Sequence, residues 1–366
     1  GETVPDPYFD GEGPERTGCI YCGACMQGCR VGAKNTLMKN YLWFAEKRGV
    51  ECHTERQVID IQPLGADDGS EGYRVLTQHP GSWLRKRPRE FRARGIVFST
   101  GALGTNMLLA KCKLNGSLPN ISDRLGSLVR TNSESILAVT MPKGTENVWN
   151  DVMISGSIHP RPDTHIELNT FGKNADSLAY LQTLMTGKGN WLTRPFRWLG
   201  QVLRHPLLFL QTLWPVGWSR RSIIVLVMQT LDNAISFRAK RGLFGRFRLV
   251  TEQDPEKPNP TYIDIANEAT GYLAEKYGGF AQSSVLEALA NIPTTAHILG
   301  GAVIGDSPAN GVVDRDNRVF GYRNMLICDG STMPANPGVN PSLTITALSE
   351  LAMSKVPEAI DKWWSA

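Results

Sequence analysis

Two stretches near the C-terminus decide how this chain folds: TTAHILGGAVIG (294–305) and GVVDRDNRVFGYRNMLICDGSTMPANPGVNPSLTITALSELAM (311–353). In the first, a lone His297 precedes a Gly-Gly turn. In the second, a hairpin leads to an apolar strand that ends at Asp329, and a Pro-Gly loop then leads to an unbroken helical pattern from Asn340. We expect this order to bring one base, one amide and one helix N-terminus against a flat ligand.

The helical pattern after the Pro-Gly loop predicts a helix whose N-terminus can bind an anion. Asn340 can cap it, because its side-chain oxygen can accept a bond from a free N–H group of the first turn. Pro341 suits the first helical position, which needs no N–H. The partial positive charge at this end favours a negative group in front of it. Apolar residues at helical spacing predict that the helix lies on a core: Leu343, Ala347, Leu348, Leu351 and Ala352.

His297 is the candidate base. A histidine side chain titrates near ~6.5 and can therefore take a hydroxyl proton near neutral pH. A single histidine is more often a structural residue, and the pattern by itself leaves both interpretations open.

The two stretches together resemble the C-terminal signature of the GMC (glucose–methanol–choline) flavoprotein oxidoreductases, in particular their cholesterol-oxidase-like bacterial branch. The resemblance implies an α/β fold, with a Rossmann-like FAD-binding domain and a substrate domain built from an antiparallel sheet and helices. It also implies that His297 takes the hydroxyl proton, that Asn340 holds the same oxygen, and that a hydride passes to flavin N5. Asparagine does not titrate near neutral pH, so a single base is expected.

The resemblance also implies the FAD contacts. Val58, in the strand-like stretch 51–64, would bind adenine through its backbone. The stretch 89–105 predicts two strands that run into a Gly-rich turn. Its Gly101 and Gly104 would let the backbone approach the cofactor. The remaining contacts are Asp329 and Gly330 at the ribityl chain and pyrophosphate, and Asn340, Pro341 and Ser342 at the flavin.

The Gly-rich pyrophosphate motif of the family is not found in this sequence. No G-x-G-x-x-G follows a strand, although the family opens with one. The chain begins at Gly1, in what resembles the middle of a domain. We therefore expect a fragment without the first βαβ unit, which binds FAD poorly and whose targeting cannot be inferred.

The predicted domains are 1–132 (middle part of the FAD-binding domain), 133–293 (substrate domain) and 294–366 (C-terminal part of the FAD-binding domain). In the central segment, strand-like stretches separated by turns predict an antiparallel sheet. They are SILAVTMP (135–142), DVMISGSIHP (151–160), HIELNTFG (165–172), RSIIVLVMQTL (221–231) and ISFRAKRGLFGRFRLV (235–250). Glu167 is the acid nominated for a steroid isomerase side activity.

The segment 191–221 combines Trp, Arg, Leu and Phe and contains four of the nine tryptophans. Proline and Arg204-His205 interrupt it, so it is too broken for a transmembrane helix of ~20 apolar residues. Its composition is typical of a segment at a membrane interface. A lid or loop packed on the protein itself is the equally supported alternative.

Four cysteines follow the spacing Cys19-x2-Cys22-x2-Cys25-x3-Cys29, which is that of a bacterial ferredoxin motif. No proline follows Cys29 and no second cysteine run exists. Zinc sites usually have a longer gap between two ligand pairs. An Fe–S cluster and unligated thiols packed beside the flavin therefore remain alternatives, and we favour the thiols.

Length and composition fit a two-domain protein, at 366 residues and 41% hydrophobic content. The small, dispersed net charge of +4 argues against nucleic acid as a partner. The resemblance implies oxidation of an alcohol on a bulky apolar substrate, such as a 3β-hydroxysteroid. Oxygen or a quinone would be the electron acceptor, and the protein would be cytoplasmic or peripherally membrane-bound. The alternatives are a GMC-type dehydrogenase that passes electrons to a quinone or cytochrome, and an Fe–S electron-transfer module.

Overall fold

The structure is a computed structural model that describes residues 1–82, 84–145 and 148–358. Its helices are α1 (Tyr41–Lys47), α2 (Gly101–Asn115), α3 (Thr193–Arg204), α4 (Pro206–Leu213), α5 (Trp218–Arg221), α6 (Asp264–Lys276), α7 (Val285–Ala290) and α8 (Ser342–Met353). Its strands are β1 (Thr3–Val4), β2 (Arg16–Thr17), β3 (Gln57–Pro63), β4 (Tyr73–Gln78), β5 (Arg89–Ala93), β6 (Ile96–Phe98), β7 (Ser127–Arg130), β8 (Ser135–Thr140), β9 (Ile154–Arg161), β10 (Thr164–Asn169), β11 (Gln182–Leu184), β12 (Ser222–Gln229), β13 (Ile235–Arg241), β14 (Phe247–Gln253), β15 (Phe280–Ser284), β16 (Leu299–Gly301) and β17 (Met325–Ile327).

The chain divides into two units, each built from three segments. The first unit contains 1–53, 134–228 and 260–294, and the second contains 54–133, 229–259 and 295–366. This division differs from the predicted domain boundaries at two segments. Residues 1–53 belong with the central segment, and residues 229–259 belong with the segments predicted to bind FAD.

The first unit is organised around a six-stranded sheet in the order β11-β15-β8-β12-β10-β9. Its β11–β15, β15–β8, β8–β12 and β10–β9 pairs are antiparallel. Because side chains alternate between the faces of a strand, Leu137 and Val139 of β8 share one face with Val225 and Val227 of β12. These side chains pack against α6 in one buried core. The antiparallel sheet predicted for the central segment is therefore present, with one exception. The hairpin β13–β14, predicted to extend this sheet, lies in the second unit.

The second unit combines three small sheets around α2. One has the antiparallel order β14-β13-β7-β16, another is the meander β3-β4-β5, and the third is the parallel pair β6–β17. The two strands predicted in 89–105 both form, but they join different sheets. A parallel pair with a helix directly after one strand is the α/β feature expected from the sequence, so the predicted fold class is confirmed.

Helix α8 differs from its prediction in two respects. It begins at Ser342, and Pro341 occupies the capping position with φ −84° and ψ −5° and no side-chain bond to the helix. The prediction that Asn340 is the N-cap is wrong, because the carbonyl of Pro341 accepts the bond from Ile345 N–H. The predicted core contact is also largely wrong. Leu343 is 82% exposed and Leu351 47% exposed, whereas Ala352 is buried.

Candidate active site

His297 lies on the segment that leads into β16, and two consecutive hydrogen bonds hold its backbone. The N–H of His297 donates to Thr295 Oγ1 (2.9 Å), and that hydroxyl donates to the carbonyl of Thr131 (2.8 Å). The hydroxyl thereby holds the turn before β16 in one conformation. The half-buried imidazole is thus carried on a backbone tied to the end of β7.

The Gly-Gly turn after His297 allows β16 to approach its neighbours closely. Gly300 and Gly301 have φ values of +72° and +86°. A Cβ at Gly300 would lie 2.1 Å from the carbonyl oxygen of Leu128, and one at Gly301 would lie 2.4 Å from Asn106 Nδ2. The same Asn106 nitrogen donates to Gly300 O at 3.0 Å, so α2 is bonded directly to the turn.

The Pro-Gly loop before Asn340 is held by the side chain of Asn132. This residue is fully buried, its Nδ2 donates to Val339 O (3.0 Å), and its Oδ1 accepts from Gly338 N–H (2.8 Å). The N–H of Asn132 in turn donates to Asn336 Oδ1 at 2.9 Å. Consecutive residues, Thr131 and Asn132, therefore anchor the segments that carry the two predicted catalytic side chains.

Thr131, Asn132, Thr295 and Asn336 were not among the residues singled out from the sequence. Polar residues in turns are common, and hydropathy patterns do not distinguish a buried anchor from an exposed turn. A weak local signal exists in the run Thr-Asn-Ser after β7. Asparagine tolerates the left-handed backbone, and Asn132 has φ +58°.

Asp329 and Gly330 follow β17 closely and contact three other elements of the second unit, α2, β16 and α8. The buried Asp329 carboxylate accepts bonds from Ser331 N–H (2.9 Å), Ser331 Oγ (2.5 Å) and Thr105 Oγ1 of α2 (2.5 Å). A Cβ at Gly330 would lie 3.0 Å from Leu299 and 3.1 Å from Ile345 of α8. The structure thus brings the strand after His297, the Asp-Gly turn and α8 together. Contact of Asp329 with the ribityl chain stays a prediction.

The remaining predicted cofactor contacts all lie in the second unit. Val58, on β3, packs against the core that α2 also joins. Gly101 begins α2 with φ +73° and open space where a side chain would be, and Gly104 follows in the first turn. The residues at the capping positions of α2 and α8, Thr100 and Pro341, make no side-chain bond to their helix.

The described residues fit part of an FAD site. The N-termini of α2 and α8 carry first-turn N–H groups of the kind that can face anionic parts of a ligand. Leu103 and Met107 on α2 and Leu343 on α8 expose apolar side chains of the kind that a flat ring system covers. The sequence contains no G-x-G-x-x-G loop for the pyrophosphate.

The four cysteines of the ferredoxin-like run line one cavity of about 210 Å³ in the first unit. All four are free thiols. Backbone N–H groups approach two of the sulfurs, from Tyr21 to Cys19 Sγ (3.3 Å) and from Lys34 to Cys29 Sγ (3.4 Å). The bond from Lys34 lowers the pKa of the Cys29 thiol, because a hydrogen bond stabilises the thiolate.

The geometry gives the Fe–S alternative no direct support. Within the described ranges, no three side chains of His, Cys, Asp or Glu are placed so that they could hold a metal ion. The four thiols therefore line one cavity, but they are not placed so that they could bind one common ion.

Glu167, nominated for isomerase chemistry, is buried on β10 of the first unit. Its Oε1 lies 3.7 Å from Nδ1 of His165, and His165 stacks on His159 with ring centroids 4.2 Å apart. Burial lowers the pKa of His165, and the neighbouring His159 lowers it further. The isomerase role of Glu167 stays a prediction.

No helix among the described residues has both the length and the apolar character needed to cross a bilayer.

Comparison with known proteins identifies residues 238–349 as matching the family "GMC oxidoreductase". The chain is 48% identical over 359 residues to a cholesterol oxidase of Acinetobacter baumannii, covering 98% of this chain and 64% of that protein. It is 47% identical over 365 residues to a cholesterol oxidase of Mycobacterium tuberculosis, covering 98% of this chain and 62% of that protein. The chain thus spans less than two thirds of the length of these relatives.

A solved structure shows the same fold at low sequence identity. The crystal structure of pyridoxine 4-oxidase from Mesorbium loti matches with a TM-score of 0.51 and 13% identity, over 82% of this chain and 57% of that one. The resemblance to the family inferred from the C-terminal stretches is confirmed by these comparisons.

Proposed function

Because this chain carries the C-terminal domain of the GMC oxidoreductases, we propose that it serves the FAD-dependent oxidation of an alcohol on a bulky apolar substrate. The substrate class proposed is a 3β-hydroxysteroid such as cholesterol. Two relatives named cholesterol oxidase, at 47–48% identity, support this choice. The structural observation that carries the proposal is the common anchor at Thr131 and Asn132, from which the segments of His297 and Asn340 are both held.

In the proposed reaction, His297 accepts the proton of the substrate hydroxyl. The bond from its backbone N–H to Thr295 Oγ1 would keep the backbone that carries the imidazole in place while the proton moves. The Asn340 amide donates a hydrogen bond to the same oxygen and so orients the C–H bond. FAD, when bound, supplies the acceptor for the hydride. The N-terminus of α8 would stabilise the negative charge that develops in front of it.

The test is His297→Ala in FAD-loaded protein, with steroid oxidation followed under anaerobic single-turnover conditions. We expect the rate of flavin reduction to fall by about 10²–10⁴-fold, the usual contribution of a general base. His79→Ala is the matched control, because His79 lies in the same unit and pairs with Glu55 rather than with the site. Equal rates for the two variants would remove His297 from the mechanism.

Oxygen is the proposed electron acceptor, since the relatives are named oxidases. The second candidate function is a dehydrogenase that relays electrons to a quinone or cytochrome through an Fe–S cluster. The specific observation in its favour is that four thiols face one cavity and that the backbone N–H bond from Lys34 lowers the pKa of one of them, Cys29.

The iron content of anaerobically purified protein distinguishes the two functions. The oxidase predicts about no iron and an unchanged spectrum in Cys22→Ser. The relay predicts several irons per chain and an EPR signal in one redox state, both lost in Cys22→Ser. Cys112→Ser, at a buried thiol outside the cavity, is the control for general effects of removing a thiol.

A further inference from the structure

The helix pair α3–α4 exposes a stripe of apolar side chains. Its members are Phe196, Leu199, Leu203, Leu207, Leu210 and Trp214, at intervals of three or four residues. Within each helix this spacing puts side chains on one face. Phe196, Leu199 and Leu203 share a face of α3, Leu207 and Leu210 share a face of α4, and Trp214 follows α4 directly. All six are exposed, and Leu203, Leu207 and Trp214 are more than 70% exposed. We call this stripe the α3–α4 face.

The exposure of the face does not come from loosely held helices. Arg194, at the start of α3, is buried and pairs with Glu287 at 2.7 Å. Trp198, on the opposite side of α3, donates to Thr183 Oγ1 at 2.8 Å and packs edge-on against Phe209 of α4. Both helices are thus fixed to the first unit by one side, and their apolar side chains point away from it.

The segment of chain that carries the face contains basic residues and no acidic ones. Residues 177–231 contain no Asp or Glu, and they contain six Lys or Arg residues. A hollow of about 430 Å³ is lined by Phe196 of the face together with Arg197 and Arg204. A second hollow of about 430 Å³, next to exposed Val216, is lined by Lys143, Arg220 and Arg221. Each hollow therefore places cationic groups beside apolar side chains.

We propose that the α3–α4 face docks on a lipid bilayer that contains anionic phospholipids. The apolar stripe would enter the acyl-chain boundary, and the two basic hollows would receive headgroup phosphates. A second copy of the chain fits the face less well. A twofold dimer would place the same patch against itself and oppose its arginines without an acidic partner.

This inference rests on the proposed function in one respect only, which is the purpose of docking. That purpose would be to take a lipid alcohol from the bilayer. Vesicle binding itself needs no FAD and no turnover. A protein that binds vesicles but oxidises no steroid would keep this inference and lose the proposed function. A protein that oxidises steroid presented in detergent but ignores vesicles would do the reverse.

The experiment is cosedimentation of the purified chain with vesicles of phosphatidylcholine alone or of equal parts phosphatidylcholine and phosphatidylglycerol. We expect clear binding to the mixed vesicles, weaker binding to the neutral ones, and a decrease with added salt. The variant Phe196→Ser/Leu203→Ser/Leu207→Ser should weaken binding by at least about 10-fold. Arg204→Gln/Arg220→Gln should weaken binding to the mixed vesicles by roughly 25-fold, at about five-fold per charge.

The matched control is Leu243→Ser/Arg246→Gln, which removes one exposed apolar and one basic side chain at the turn between β13 and β14. Its binding should equal that of the unsubstituted chain. Equal binding by the control and the triple variant would overturn the proposal. The proposal would also be overturned if, without vesicles, light scattering gave the triple variant a different molar mass from that of the unsubstituted chain. Such a difference would identify the face as a protein interface. Loss of vesicle binding in a protein as long as its relatives would overturn it as well.

Discussion

The anchoring role of Asn132 leads to the sharpest prediction. The substitution is Asn132→Gly, which removes the side chain and keeps a residue that adopts the left-handed backbone of this position, φ +58°. Alanine would add backbone strain and confuse the result. Asn132→Asp is the companion variant, because it keeps the acceptor for Gly338 N–H but turns the donor to Val339 O into a carboxylate oxygen.

The magnitude follows from the two hydrogen bonds that the side chain makes. Asn132→Gly leaves the N–H of Gly338, a buried residue, and the C=O of Val339 without this partner. Each unsatisfied buried group costs about 1–3 kcal/mol. We therefore expect the loop before Asn340 to lose about 2–4 kcal/mol of local stability, somewhat less than two full penalties because an exposed carbonyl can find water.

Two measurements test this. Native-state hydrogen exchange at Gly338 should become about 30- to 1,000-fold faster, which is the same free energy expressed as a ratio. In FAD-loaded protein, the rate of flavin reduction should fall by about 10²-fold, because an error of about 1 Å in the position of Asn340 is enough for such a loss. Asn132→Asp should accelerate exchange at Gly338 less than Asn132→Gly does. It should lower the rate of flavin reduction by the same factor as Asn132→Gly.

Asn267→Ala is the matched control. Asn267 is also a buried asparagine bonded to a backbone carbonyl, that of Ile263 at 3.0 Å, but it lies in α6 of the first unit. It should destabilise its own helix without altering the reduction rate. Unchanged exchange at Gly338 in Asn132→Gly would refute the anchor itself. Faster exchange with an unchanged reduction rate would refute its link to the site.

Two further predictions concern Asn340 and His165. Asn340→Leu should slow flavin reduction in FAD-loaded protein by about 10²-fold, as for loss of one donor to a developing oxyanion. A stability loss of the size of a lost cap, with the rate retained, would contradict this. The folded-state pKa of His165 is lowered from 6.5, so the folded first unit binds fewer protons than the unfolded chain, and stability should fall as the pH drops through 6.5. Thermal unfolding against pH should show this slope in the unsubstituted protein and a shallower one in His165→Phe, and identical slopes would contradict it.

The sequence by itself determined the local structure and the identity of the candidate residues. The short apolar runs in 135–140 and 222–229 predicted strands that the structure contains, because such a run bounded by turn residues is typical of a strand buried on both faces. The 3.6-residue period in 342–353 likewise predicted a helix. His297, Asp329 and Gly330 could be chosen because their order along the chain is a family signature, and the structure places their segments in one unit.

Only the tertiary structure decided which segments meet. The strand pattern of 235–250 is the same whether the hairpin joins one sheet or another, and its partner β7 lies far away in sequence. The period of α8 indicates an apolar face without saying what covers it, and Leu343 is exposed. The bond from Gly338 to Asn132 spans 206 residues. Hydrophobic periodicity indicates which face of one helix or strand is packed. A bond such as that between Gly338 and Asn132 forms only when two turns that are distant in sequence lie next to each other in the folded chain.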